Sequence, residues 1–114
     1  MESILTSIKN DLGIEEDDKS FDKEITRRIN SAFMVLTQLG VGPAKGFRIT
    51  SGLETWDEFL QGREDLESVK DYVYIKVKLK FDSQSMSSST IEAFKEEAKE
   101  IECRLNMQVE STNA

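Results

Sequence analysis

Apolar residues recur in steps of three and four along FDKEITRRINSAFMVLTQLGVG, at Phe21, Ile25, Ile29, Ala32, Phe33, Leu36 and Leu39. That spacing keeps them on one stripe of an α-helix. Asp22 stands where an N-cap belongs, and Glu24 adds negative charge near the positive end of the helix dipole. Gly40 can adopt the left-handed conformation that ends a helix, and Pro43 follows. No other stretch has its stripe, start and stop so clearly marked, so this is expected to be the central helix.

The same pattern predicts a short amphipathic helix over Ser3–Leu12, with Ile4, Leu5, Ile8 and Leu12 on one face and Gly13 at its end. Thr55 and Glu58 form a capping box that opens another short helix, with Trp56, Phe59 and Leu60 on its apolar side and Gly62 as its stop. A second capping box, Ser89 with Glu92, opens the last helix. Its seam is Ile91, Phe94, Ala98, Ile101 and Leu105, with Cys103 expected to pack at its edge. Residues 106–114 carry no pattern and are expected to form a mobile tail after a single domain over residues 1–105.

Two stretches resist this treatment. GVGPAKGFRITSG, from Gly40 to Gly52, holds four of the six glycines and the single proline. It matches neither a Walker loop nor GxGxxG, and it follows a helix where those motifs follow a strand. Within it, Phe47–Thr50 suits a short extended segment, which would need a partner strand, as from another subunit. In DLESVKDYVYIKVKLKF, Val73, Ile75, Val77, Leu79 and Phe81 alternate with polar or aromatic residues as in a strand. Leu66, Val69, Val73, Val77 and Phe81 also fall at helical spacing, and seventeen residues without Gly or Pro suit a helix. Periodicity leaves both open.

Composition then narrows the function. At 114 residues the chain has room for one modest core. It contains no histidine and one cysteine, so histidine bases, histidine metal ligands and an intrachain disulfide are excluded. No apolar run suffices to cross a bilayer, and MESILTSIKNDLG lacks the features of a secretory signal, so the expected compartment is the cytoplasm. The net charge of −7 disfavours nucleic-acid binding. Acidic residues crowd Asp11, Glu15, Glu16, Asp17, Asp18, Asp22 and Glu24. They lack the alternate ligands and central glycine of an EF-hand, so a solvated loop is expected. The remaining catalytic option is magnesium held by Glu64 with Glu67 and Glu97 with Glu100, as for pyrophosphate chemistry. Such pairs are common on exposed helices.

A set of short elements, in order along nearly the whole chain, resembles the small head–tail connector proteins of tailed bacteriophages, also called adaptor or head-completion proteins. They are Ile29-Asn30-Ser31, Leu36–Pro43, Phe47, Trp56–Leu60, Tyr72–Asp82 and Arg104-Leu105-Asn106. The chain departs from relatives at Ser83-Gln84-Ser85, where prolines are frequent, and at Cys103, where an aromatic residue is frequent. The resemblance implies an all-α bundle of about four to five helices, with 65–81 as a helix. It also implies a homo-oligomeric ring, dodecameric in the family, beneath the portal protein. The ring receives the next head-closure or tail protein, and DNA passes through without specific binding. Such proteins act in the virion after assembly in the bacterial cytoplasm, with no membrane, no cofactor and no reaction, and can remain monomeric in solution.

On that basis the subunit interface is expected at Phe47, Ile49, Trp56, Phe59, Tyr74 and Ile75, and portal docking at Arg104, Asn106, Met107 and Val109. The alternative reading is a small helical module that sequesters a partner through the same apolar face. The carboxylate–metal enzyme stands third.

Overall fold

A computed structural model describes residues 2–113, with side chains through Glu110. Five α-helices form an all-α fold: α1 (Ile4–Leu12), α2 (Asp22–Gln38), α3 (Trp56–Leu60), α4 (Val69–Phe81) and α5 (Ser88–Asn113). Single 3-10 turns, Glu64–Leu66 and Ser83–Ser85, precede and follow α4.

The ambiguous segment is therefore a helix, and it is the hub. α4 packs against α1, α2 and α5. Val69, Tyr72, Val73, Ile75 and Val77 are buried, while Tyr74, Leu79 and Phe81 are half-buried against the core. A helix covered on several sides has no single apolar stripe, which is why its sequence also reads as strand alternation. The expectation that α2 is central is corrected: α2 is one of the helices around α4.

Direction follows from the contacts. Phe21, just before α2, meets Phe81 at the end of α4 with ring centroids 5.3 Å apart. Tyr72 bonds Glu102, while Tyr74, further along α4, meets Phe94, earlier on α5. α4 thus runs antiparallel to both α2 and α5, and those two run in the same sense. They meet at their C-terminal ends, where Asn106 Nδ2 donates to Leu39 O (3.3 Å). The molecule is a slab of 43 × 34 × 19 Å.

The helix ends follow local chemistry, with two corrections. Ser3 caps α1 by accepting from Thr6 N, and Gly13 ends it at φ 79°. α2 ends in a Schellman turn: Val41 N donates to Leu36 O, Gly40 N donates to Thr37 O, and Gly40 has φ 81°. At its start, Phe21 holds the cap position and Asp22 is already helical. The Asp22 carboxylate instead lies 2.9 Å from Lys9 Nζ, in an ion pair. Lys9 is only 2% exposed, and its ammonium also donates to Glu16 O (3.0 Å) and Asp18 O (2.7 Å). The acidic connection is thus wrapped around one buried cation through its backbone. At α5 the cap is Ser87, whose hydroxyl accepts from Thr90 N, and not Ser89.

α5 also continues past Leu105 to Asn113, where a patternless tail was expected. Asn106 bonds the end of α2, and Val109 packs on the core beside Gly40. Val109, four residues after Leu105, extends the apolar seam by one more turn, a repeat that the expectation of a tail overlooks. Cys103 is exposed on this helix, not packed at its edge.

Candidate assembly surface

The surface that α2 presents away from α4 is shaped by the glycine-rich loop. Three local devices hold that loop. Gly42 sits at φ 95° with the Phe59 ring where a side chain would begin: a Cβ there would lie 2.6 Å from two ring carbons. Asn30, on α2, clamps Ile49: its Nδ2 donates to Ile49 O (2.9 Å), and Ile49 N donates to its Oδ1 (2.7 Å). Phe47–Thr50 joins no strand; the amide of Asn30 supplies to Ile49 the pair of bonds that a neighbouring strand would have made. The isolated bridge lies elsewhere, between Ser3 and Thr55.

The third device is Glu54. Its carboxylate accepts from Thr50 N (2.8 Å), Ser51 N (3.2 Å), Gly52 N (3.1 Å) and the Thr50 hydroxyl (3.2 Å). Burial raises its pKa, but these donors together outweigh burial and hold it at about 2, against an ordinary 4.5.

Between α2 and the loop lies a groove of about 1160 Å³. Four cations line it: Lys23 and Arg27 on α2, Lys45 and Arg48 on the loop. None of the four has an ion-pair partner among the described residues, and neither do Lys19, Lys76, Lys80 and Lys99, which lie outside the groove. Glu24 is the one carboxylate in the lining. Met34, 64% exposed, stands in the same groove. An acidic chain thus concentrates unneutralised positive charge and an exposed thioether on one face.

The residues expected at a subunit interface do not form that face. Ile49, Trp56, Phe59 and Ile75 are buried in the chain's own core. Phe47 is half-buried in an aromatic cluster, 5.2 Å from Phe33 and 5.3 Å from Phe59 between centroids. Trp56 packs on Phe33 and donates from Nε1 to Ser7 Oγ (3.2 Å). Tyr74 is half-buried against Phe94. A side chain 1% exposed, as Ile49 and Phe59 are, has almost no area left for a neighbour. Phe47 and Ile49 do reach the groove as part of its lining.

The residues expected at the portal divide likewise. Asn106 and Val109 face the subunit's own fold, while Met107 is 61% exposed and Arg104 pairs with Glu100 on the surface (2.6 Å). Of the candidate magnesium ligands, Glu67 pairs with Lys70 and Glu100 with Arg104. Among the described residues no three acidic, histidine or cysteine side chains gather as metal ligands. No helix among them is long and apolar enough to cross a membrane.

Buried polarity also ties the hub to α5. Tyr72 is fully buried, and its hydroxyl donates to Glu102 Oε2 (2.6 Å). Burial, then the bond to Glu102 and its negative charge, push the phenol's pKa well above its usual value.

A family model described as "Phage connector protein" matches residues 4–112, almost the whole chain. The chain belongs to the phage connector family. No curated protein and no solved structure matches it. The matched span takes in all of α1–α4, the glycine-rich loop and α5 to within a residue of its end, so the connector assignment covers the fold and the groove together. The family points to a structural protein of bacteriophage.

Proposed function

We infer that this connector assembles as a ring beneath the portal protein of a DNA-filled head. The ring joins the head to the next head-closure or tail protein and acts in the virion after assembly in the host cytoplasm. The observation that carries this is the family match over residues 4–112. The charge supports the passage of DNA: a ring of subunits at −7 each repels phosphate on the whole, so DNA slides through without sticking. The reading involves no reaction and no cofactor.

Heads assembled without this protein should package DNA and then fail to accept tails, and adding the purified protein back should restore tail joining. Electron microscopy of the completed heads should show a ring at the portal vertex. Tails joining at the usual efficiency in its absence would refute the reading.

A further inference from the structure

We propose that the groove between α2 and the glycine-rich loop receives α5 of a second copy of this chain, and that this head-to-tail contact builds the ring. The inference rests on the ring reading above and names its interface.

α2 and α5 both pack on α4, and the groove on α2 and the acidic outward face of α5 are two separate patches with no residue in common. A ring needs a heterologous contact, in which two different patches of the subunit meet. The acidic connection after α1 is a poorer occupant. Ser20 and Lys23 already line the groove's own edge, so an exchange of neighbouring patches there would close as a two-fold dimer.

Charge and register then select α5. Its outward face around Ala93 and Lys99 carries Glu96, Glu97 and Glu100. Glu96 and Glu97 have no ion-pair partner among the described residues. Lys23, Arg27 and Met34 recur along one stripe of α2 at the same spacing as Glu96, Glu100 and Met107 along one stripe of α5. A single constant offset therefore sets Lys23 against Glu96, Arg27 against Glu100, and the two exposed methionines against each other. This register requires the two helices to run in the same sense. Within one subunit α2 and α5 do so, because each is antiparallel to α4. A ring of many copies turns each subunit only slightly, so the neighbour's α5 keeps that sense. Lys45 and Arg48, on the other wall, face the same incoming acidic helix.

The test uses the lone cysteine. The register sets Arg104 opposite Ser31, which is exposed in the groove, and Cys103, exposed on α5, is the residue next to Arg104 and so within cross-linking reach of position 31. Mild oxidation of Ser31→Cys should give a ladder of disulfide-linked multimers, because each subunit then offers one thiol on α2 and one on α5. The wild type, and Ser31→Cys combined with Cys103→Ser, should stop at dimers. Charge reversal supplies the second arm. Lys23→Glu with Arg27→Glu, and Glu96→Lys with Glu100→Lys, should each abolish assembly, measured by light scattering at low salt and by electron microscopy of rings on connector-free heads. An equimolar mixture of the two should assemble again, since every contact in an alternating ring is then between opposite charges. A ring that forms without the 31–103 cross-link, or that ignores the reversals, overturns this interface and leaves the ring reading standing. A reduced wild type that closes non-covalently as a two-fold dimer overturns both.

Discussion

Replacing Asn30 tests how the glycine-rich loop is held. Asn30→Ala removes both bonds to Ile49, at 2.7 and 2.9 Å. Each is worth about 1 kcal/mol net, and the Ile49 amide and carbonyl lose partners in a partly buried place, so the loss should be about 2–3 kcal/mol. Asn30→Asp separates the two bonds. Its Oδ1 still accepts from Ile49 N, but the donor to Ile49 O becomes a second acceptor facing a carbonyl. That repulsion raises the folded pKa of the new carboxyl above its unfolded value. The native state then binds the proton more tightly. The deficit is therefore full at neutral pH and shrinks as pH falls through the folded pKa, once the protonated carboxyl donates to Ile49 O. Urea denaturation followed by fluorescence of buried Trp56, the single tryptophan, reads all three proteins. Compared with wild type at each pH, the Ala deficit should be flat from about pH 7 to about pH 4 while the Asp deficit narrows. An Ala variant within about 0.5 kcal/mol of wild type, or an Asp deficit that does not narrow, would show that Asn30 is not the clamp.

Three further outcomes follow from the fold. Lys9→Met should cost about 2–3 kcal/mol, because it strands Asp22 and two carbonyls around an ammonium only 2% exposed. Proteolysis within residues 14–20 should accelerate, and an unchanged cleavage rate there would count against the cage. Glu54 is depressed in the folded state to about 2, so its contribution is present above about 4.5 and is lost as pH falls towards about 2. Discounted for its partial exposure, Glu54→Gln should cost about 1–2 kcal/mol at neutral pH, and the two stability curves should converge across that acid window. Gly42→Ala combines a φ of 95° with a 2.6 Å approach to a ring that is 1% exposed and cannot swing aside. Chemical denaturation should show a loss of about 2–4 kcal/mol, and a loss below about 1 kcal/mol would mean that the loop moves freely off Phe59.

The ends of α1 and α2 were legible because caps and glycines act on their own neighbours in the chain. Ser3, Gly13 and Gly40 behave as their positions dictate. Asp22 misled for the opposite reason. Its best partner is Lys9, thirteen residues back and buried, which no local rule connects to it. α4 was ambiguous because burial on several sides erases the stripe that marks a helix. Asn30 lies off the apolar stripe of α2, and nothing in spacing links residue 30 to residue 49. The groove's cations are scattered over Lys23, Arg27, Lys45 and Arg48, and only the fold gathers them. One hint was present: Lys23 and Arg27 are like charges one turn apart, a mildly unfavourable pair that asks for a partner from outside the helix.

The aromatic residues were expected at an interface because Trp, Tyr and Phe anchor interfaces, yet in this chain they make the subunit itself. Phe33, Phe47, Trp56 and Phe59 pack on one another beneath the loop, and Tyr72 is sealed between α4 and α5. A domain this small needs those rings to fold at all. The surface that remains for a neighbour is charge with a few isolated apolar side chains, Phe21, Met34, Leu53 and Met107. Pairs of exposed charges each contribute little and are screened by salt. A single contact between two copies is therefore weak, and a subunit can stay folded and alone. The proposed ring would change the arithmetic, because every subunit would then hold two neighbours and the last contact would form within one assembly at high effective concentration. A portal that arranges several subunits side by side supplies that same advantage before the ring closes. Assembly of this kind should fall off steeply with added salt while the fold of the subunit does not, since the fold rests on apolar burial and the contact on charge.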